Sequence, residues 1–270
     1  MNNILTIAGF DPSSGAGITK DLDVFFSLGM HGVSVPTCIV NQNPMGVTDV
    51  YPIPPEQFSQ MLNTVNDGIR LDGIKIGVML DEFYVDVLSD FISSVKDIPV
   101  VLDPIISAKN DTQLLTVNGL RVLIDSVFPK TTVITPNTEE AAIITKDRIN
   151  NIDDMQKAAR AMLDMGINAV VIKGGHLDGE PIDILYDGRE LTKWYKKRVK
   201  REIHGTGCTF SSALLAFLVK GQNLKNAFDS AEKYMLYSIE KSYTIADNGY
   251  YYMSSAVLPT EFKQEIYLNS

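Results

Sequence analysis

Short apolar, β-prone runs alternate with longer amphipathic runs along most of this chain, and that alternation confines it to one kind of architecture. The strand-like runs fall at residues 4–8, 33–40, 73–77, 100–102, 132–135 and 169–172. Each is nearly continuous in apolar residues, so both of its faces need cover. Between them lie runs with helical spacing. The first carries Ile18, Leu22, Phe25 and Phe26, and others follow at 56–69, 82–95, 117–127 and 155–165. Strand–helix–strand repetition of this kind builds a mainly parallel sheet flanked by helices. One segment departs from it. Residues 183–186 and 194–200 flank Asp187-Gly188-Arg189-Glu190, a turn that predicts an antiparallel edge hairpin. Two helices, at 208–220 and 224–243, end the pattern. No repeat, low-complexity segment or Pro/Gly/Ser linker interrupts it, so the 270 residues read as one domain over 1–270.

The side chains left over narrow the function. With 45% hydrophobic residues the chain can bury a substantial core, and its net charge of −9 supplies no basic face for nucleic acid. The same charge repels anionic lipid headgroups, and no apolar stretch approaches the roughly 20 residues of a membrane helix. Two cysteines, Cys38 and Cys208, are too few for a disulfide framework, and the three histidines show no zinc spacing. The N-terminal run resembles a first strand rather than a signal peptide, so the expected location is cytoplasmic.

Ligands of open parallel sheets sit beyond the carboxyl ends of the strands. Polar and glycine residues follow nearly every predicted strand: Gly9-Phe10-Asp11, Asn41-Gln42-Asn43, Gly77-Val78-Met79, Asp103-Pro104, Pro136-Asn137, Lys173-Gly174-Gly175-His176 and His204-Gly205-Thr206-Gly207-Cys208. The last group stands before a helix of small and apolar residues. Its glycines let backbone N–H groups approach a ligand at a helix N-terminus, which makes an anion hole and favours a thiolate at Cys208. An ordinary turn with a buried cysteine fits the same spacing. Asp103 and Glu140 could shape a magnesium-phosphate site, although Asn137 and Glu140 fit a helix capping box equally well. Lys173 could place a point charge on a nucleotide phosphate or simply be solvated. His204 stands four residues before Cys208, but the intervening glycines disfavour a Cys–His pair. Tyr250-Tyr251-Tyr252 reads as packing or an oligomer contact. No Walker A loop occurs, and Gly15-Ala16-Gly17 lacks the last glycine of a dinucleotide fingerprint.

Taken together, these residues resemble the hydroxymethylpyrimidine/phosphomethylpyrimidine kinases within the ribokinase-like superfamily. The likeness runs from about Ile4 to about Tyr243. It includes Thr6-Ile7-Ala8-Gly9-Phe10-Asp11-Pro12, Gly15-Ala16-Gly17-Ile18, Asp21-Leu22, Gln42-Asn43, Lys75-Ile76-Gly77, Val101-Leu102-Asp103-Pro104, Ala108-Lys109, Ile134-Thr135-Pro136-Asn137 and the Lys173 and His204 groups. It implies a three-layer α/β sandwich that moves the γ-phosphoryl of ATP, with Mg²⁺ as cofactor, onto a pyrimidine hydroxymethyl group or its phosphate. By the same resemblance, Cys208 holds the catalytic position and Gly205, Thr206 and Gly207 supply the anion hole. Gln42 meets the pyrimidine edge, and Gly9, Ala16, Asp21, Val78 and Ile105 shape its pocket. Asn137, Lys173 and Thr206 face ATP, Asp103 and Glu140 face the metal, and a homodimer is expected. Departures include Phe10 in place of a small hydroxyl residue, Thr19-Lys20, Pro44 and Val78-Met79. They bear on substrate fit rather than reaction class. A pyridoxal, pyridoxine or pyridoxamine kinase is the alternative, and a non-catalytic binder would have no need of the metal-phosphate residues.

Overall fold

A computed structural model describes residues 1–255 except 44, 96, 109, 111, 176, 178 and 246–248. Pro44, Lys109 and His176, singled out above, lie outside the described residues. The predicted alternation is present. Parallel strands β1 (Asn3–Phe10), β4 (Gly73–Ile76), β5 (Val100–Leu102), β6 (Val133–Ile134) and β7 (Val170–Lys173) form the middle of the sheet, with β2 (His31–Asn43) parallel to β1. Antiparallel strands close both edges: β3 (Gly46–Pro52) on β2, and β8 (Ile182–Tyr186) with β9 (Leu191–Tyr195) beyond β7. Among the described residues the order is β3-β2-β1-β4-β5-β6-β7-β8-β9.

The two sheet faces carry separate cores, because successive strand side chains point in opposite directions. Leu5, Ile7, Ile74, Ile76, Val100, Leu102, Val170 and Ile172 pack under α2 (Pro55–Gly68), α3 (Glu82–Ser94), α5 (Thr138–Thr145) and α6 (Ile152–Asp164). Ile4, Val101, Val133 and Val171 pack on the opposite face against α1 (Gly17–Ser27), α7 (Thr206–Val219) and α8 (Leu224–Glu240). The result is the expected three-layer sandwich. Helix α7 is apolar on nearly every side and buried along most of its length between the sheet, α1 and α8. That burial fixes the N-terminus of α7 over the middle of the sheet's carboxyl edge.

Several expectations need correction. Residues 41–43 belong to β2, which is extended by pairing with β3, a strand the sequence reading missed. The hairpin's second strand is Leu191–Tyr195, not 194–200. Lys196 turns inward to Asp183 and Glu232, and Arg198 donates to loop carbonyls instead of joining the ladder. The 117–127 helix divides into α4 (Val117–Val122), a π-helical turn and a 3-10 turn ending at Lys130, where Pro129 has no N–H to continue the pattern. Phe26 points to solvent while Val24, Phe25 and Leu28 pack. The tyrosine run forms β11 (Tyr250–Tyr252), paired in parallel with β10 (Glu202–His204). Among the described residues no helix is long and apolar enough to cross a membrane.

Candidate active site

The same alternation that sends Ile4, Val101, Val133 and Val171 into the α1/α7 core brings Thr6, Lys75, Asp103, Thr135 and Lys173 to that face near the strands' carboxyl ends. Thr6 and Lys75 are direct cross-strand partners. Lys75 is fully buried, its Nζ 2.9 Å from Asp21 Oδ2. Thr6 Oγ1 donates to the same carboxylate oxygen at 2.6 Å, and Ser212 Oγ donates to Oδ1 at 2.8 Å. Burial alone would lower the lysine's pKa, but Asp21, and beyond it Cys208 and Asp103, more than offset this and hold it well above the usual range. Asp21, expected to shape the pyrimidine pocket, is instead fully buried on Lys75 and is not among the residues lining the nearby cavity.

Cys208, in the first turn of α7, is 6% exposed. Burial pushes its thiol up to about 11, against the opposing pull of Lys75 and a hydrogen bond from the Gly17 N–H, with Asp21 and Asp103 adding to the rise. The thiolate expected at a helix N-terminus is thus overridden by desolvation, and the resting group is a thiol. His204 does not activate it. Its Nε2 lies 3.3 Å from Asp11 Oδ2, and its ring meets Tyr252 edge-on.

The helix that carries Cys208 opens on Gly205, whose φ of 83° is left-handed and which supplies no side-chain cap. A Cβ there would lie 1.9 Å from the Gly15 carbonyl oxygen, so only glycine fits. The first N–H groups of α7 are left without a capping side chain. At Gly207 a Cβ would stand 3.2 Å from Asp103 Oδ2 and 3.3 Å from Lys173 Nζ. Asp103, Lys173 and the first turn of α7 are therefore contiguous. Lys173 Nζ and Thr135 Oγ1 both reach Asp103 Oδ1, at 2.9 and 3.0 Å.

Asn137 and Glu140 form a complete capping box on α5, with both reciprocal bonds at 2.8 Å. This does not remove Glu140 from the site. Burial pushes it up to about 7, Lys173 pulls it down and Asp103 pushes it up again, so the two carboxylates flank one lysine. Among the described residues no cluster of three or more metal-ligating side chains exists. Two carboxylates beside an anion hole nonetheless fit Mg²⁺, which keeps several waters and takes its other ligands from phosphate.

Beside this edge lies a cavity of about 180 Å³, lined by Gly9, Ala16, Gln42, Val78, Ile105 and Cys208 of the expected residues. Lys75 and Cys208 are in its lining, as are Asp11 and His204. Its apolar wall includes Val40, Val47, Val78 and Leu114, which pack with buried Cys38 into a small core of their own. Asp11 accepts from the Ser13 and Ala16 N–H groups, both at 2.8 Å. Burial would raise its pKa, but His204, Ser13 and the Gln42 carboxamide bring it below the usual value. Gln42 lines the same cavity beside Asp11. Sequence reasoning assigned no role to Lys75 or to the Asp11–His204 pair. A lone lysine within Gly73-Ile74-Lys75-Ile76 was the available signal for the first.

A buried cysteine in the first turn of an uncapped helix and a carboxylate–lysine cluster thus border a small cavity at the carboxyl edge of a mainly parallel sheet. The family model described as phosphomethylpyrimidine kinase matches residues 11–252. The chain belongs to that family. It is 34% identical over 240 residues to the hydroxymethylpyrimidine/phosphomethylpyrimidine kinase of Aquifex aeolicus, covering 88% of this chain and 94% of that protein. Among solved structures, the phosphomethylpyrimidine kinase of Clostridium difficile is similar with a TM-score of 0.79 and 33% identity, over 88% of this chain and all of that one. The pyridoxal kinase of Staphylococcus aureus, in complex with AMP-PCP and pyridoxal, has a TM-score of 0.86 at 30% identity, over 95% and 94%.

Proposed function

We propose that the protein transfers the γ-phosphoryl of Mg-ATP to 4-amino-5-hydroxymethyl-2-methylpyrimidine and then to its monophosphate, serving thiamine biosynthesis. The observation that carries this reading is one cavity lined by both Gln42 and Cys208. Gln42 offers its carboxamide to the pyrimidine edge, which turns the hydroxymethyl towards Cys208. Phosphoryl transfer depends on position and charge more than on covalent chemistry. The Gly205–Gly207 N–H groups would hold the transferring phosphoryl oxygens, and Lys173 would neutralise nucleotide phosphate. Asn137, capping α5, keeps Glu140 and the loop beside Lys173 in place for ATP. Asp103 and Glu140 would hold Mg²⁺, which supplies charge neutralisation on the phosphates when bound. Cys208, a thiol at rest, first gives its own proton to solvent, and Lys75 beneath it stabilises the thiolate that results. That thiolate takes the substrate hydroxyl's proton and returns to the neutral thiol, while the oxygen forms its bond to the γ-phosphorus and the bond to ADP breaks.

The chain further reads as a single cytoplasmic kinase domain acting as a homodimer; its match to relatives over most of both lengths supports the first point. A second reading, a pyridoxal-type kinase, is favoured by the higher TM-score to the Staphylococcus aureus structure. Mg-ATP consumption measured separately with hydroxymethylpyrimidine, its monophosphate and pyridoxine decides between them. Turnover of both pyrimidines with pyridoxine slow is the expected result, and Gln42→Ala should raise the pyrimidine KM far more than that of ATP. Efficient turnover of pyridoxine alone would overturn the first reading.

A further inference from the structure

The chain is acidic, yet six of its 24 basic residues stand within nine positions: Lys193, Lys196, Lys197, Arg198, Lys200 and Arg201, with no Asp or Glu from 191 to 201. The structure places this run at a particular spot. β9 is antiparallel to β8 and therefore parallel to β7, and Lys173, Asp183 and Trp194 stand in one row of the register. The segment after β9 thus leaves the sheet at the same carboxyl edge as Lys173, two strand spacings or about 10 Å away. It then runs into β10 and Gly205, whose helix abuts Lys173. Both ends of the strap are consequently tied to the phosphate-facing lysine.

Three of the six charges hold the strap down. Lys196 is mostly buried against Asp183 (2.5 Å) and Glu232 (2.8 Å). Arg198 donates to the carbonyls of Gly175, Leu177 and Gly179 at 3.1, 2.5 and 3.0 Å, clasping the loop that follows Lys173. Arg201 lies over the Tyr251 ring. Lys193, Lys197 and Lys200 are exposed, and among the described residues no carboxylate pairs with them.

We propose that this strap is a capture site for the nucleotide's triphosphate, with Lys197 and Lys200 as its working charges. The inference rests on the kinase reading above. A chain of net charge −9 repels polyphosphate at long range, and a local cationic patch on the same sheet edge as Lys173 offsets that field. Uncharged hydroxymethylpyrimidine gains nothing from it.

The test is kcat/KM for Mg-ATP against salt concentration, with hydroxymethylpyrimidine saturating, for the wild type and the Lys197→Gln/Lys200→Gln variant. The variant should start about five-fold lower at about 20 mM salt and converge with the wild type near 0.5 M, as screening predicts. Its kcat and pyrimidine KM should not move. Lys225→Gln, a charge loss paired with Glu190 at the far end of the β8–β9 hairpin, should leave the salt curve unchanged. Parallel curves for the wild type and double variant would overturn the proposal. So would a raised KM for pyrimidine monophosphate with that for ATP unmoved. Calorimetric titration with Mg-ATP separates the two levels: salt-sensitive binding that depends on the strap, without turnover of any pyrimidine, would sink the kinase reading and keep the capture site. No binding of Mg-ATP would overturn both.

Discussion

Replacing Lys75 with methionine removes an ammonium while keeping much of its stem, which makes Lys75→Met a clean probe of the buried pair beneath Cys208. In the wild type Lys75 and Asp21 are both fully buried, 2.9 Å apart. The substitution leaves the Asp21 carboxylate with only the Thr6 and Ser212 hydroxyls as donors. Breaking a buried pair from one side costs about 3–5 kcal/mol, a large share of the 5–15 kcal/mol typical of a folded domain. Neutralising the orphan with Asp21→Asn should restore most of that loss, bringing the double variant within about 1–2 kcal/mol of the wild type. Urea unfolding of the wild type, both single variants and the double variant, at equal m-values, gives the coupling directly. Turnover should not follow stability. Both lysine variants lack the cation that draws the Cys208 thiol down, so kcat should stay at least about ten-fold low even in the repaired protein, a pKa unit being about 1.36 kcal/mol. A Lys75→Met protein as stable as the wild type would refute the buried-charge account. A fully active double variant would separate Lys75 from the chemistry.

Two further outcomes follow from burial. Cys38 and Cys208 are both pushed up to about 11, so at pH 8 only about one part in a thousand of either is thiolate. Iodoacetamide at pH 8 should leave the native protein unmodified over a period that labels both sites in urea, as mass spectrometry would show; rapid single labelling at Cys208 would contradict the resting thiol. Glu232 is held well above its usual value, chiefly by burial and by Asp183, with Lys196 opposing. A raised carboxyl contributes stability below its unfolded pKa and loses it as pH climbs towards the folded value. Glu232→Gln should therefore gain Tm relative to the wild type as pH rises from 5 to 8, and a difference shrinking over that range would refute the assignment.

What the sequence made legible was whatever local pattern decides. Doubly covered strands announce themselves as unbroken apolar runs, so β1, β4, β5 and β7 and the layered sheet could be read directly. The uncapped start of α7 was legible because Gly205-Thr206-Gly207-Cys208 precedes a helix of small and apolar residues. β3, β10 and β11 were not, since Gly46–Pro52 has polar outer positions and the other two are three-residue strands defined only by pairing across some 48 positions. The ionisation of Cys208 also escaped. A helix N-terminus is visible in sequence, but the desolvation that outweighs it belongs to packing from α1 and the sheet. Asn137 and Glu140 illustrate the reverse case, where spacing left a cap and a ligand site as rivals and the geometry accommodates both.

The pairing of β10 with β11 also has a consequence for how the enzyme comes into being. His204, which lines the cavity and bonds Asp11, is seated by a strand whose partner is Tyr250–Tyr252, and buried Lys20 ties that end down through the Met253 carbonyl at 3.0 Å. Residue 11 and residue 204 thus wait on residue 252 before the wall between them is finished. A chain still emerging from the ribosome can lay down the central strands and even Cys208, yet it remains an unfinished vessel. The wall around His204 waits on Tyr250–Tyr252, so a product cut short before residue 250 carries the reactive parts without the means to align them.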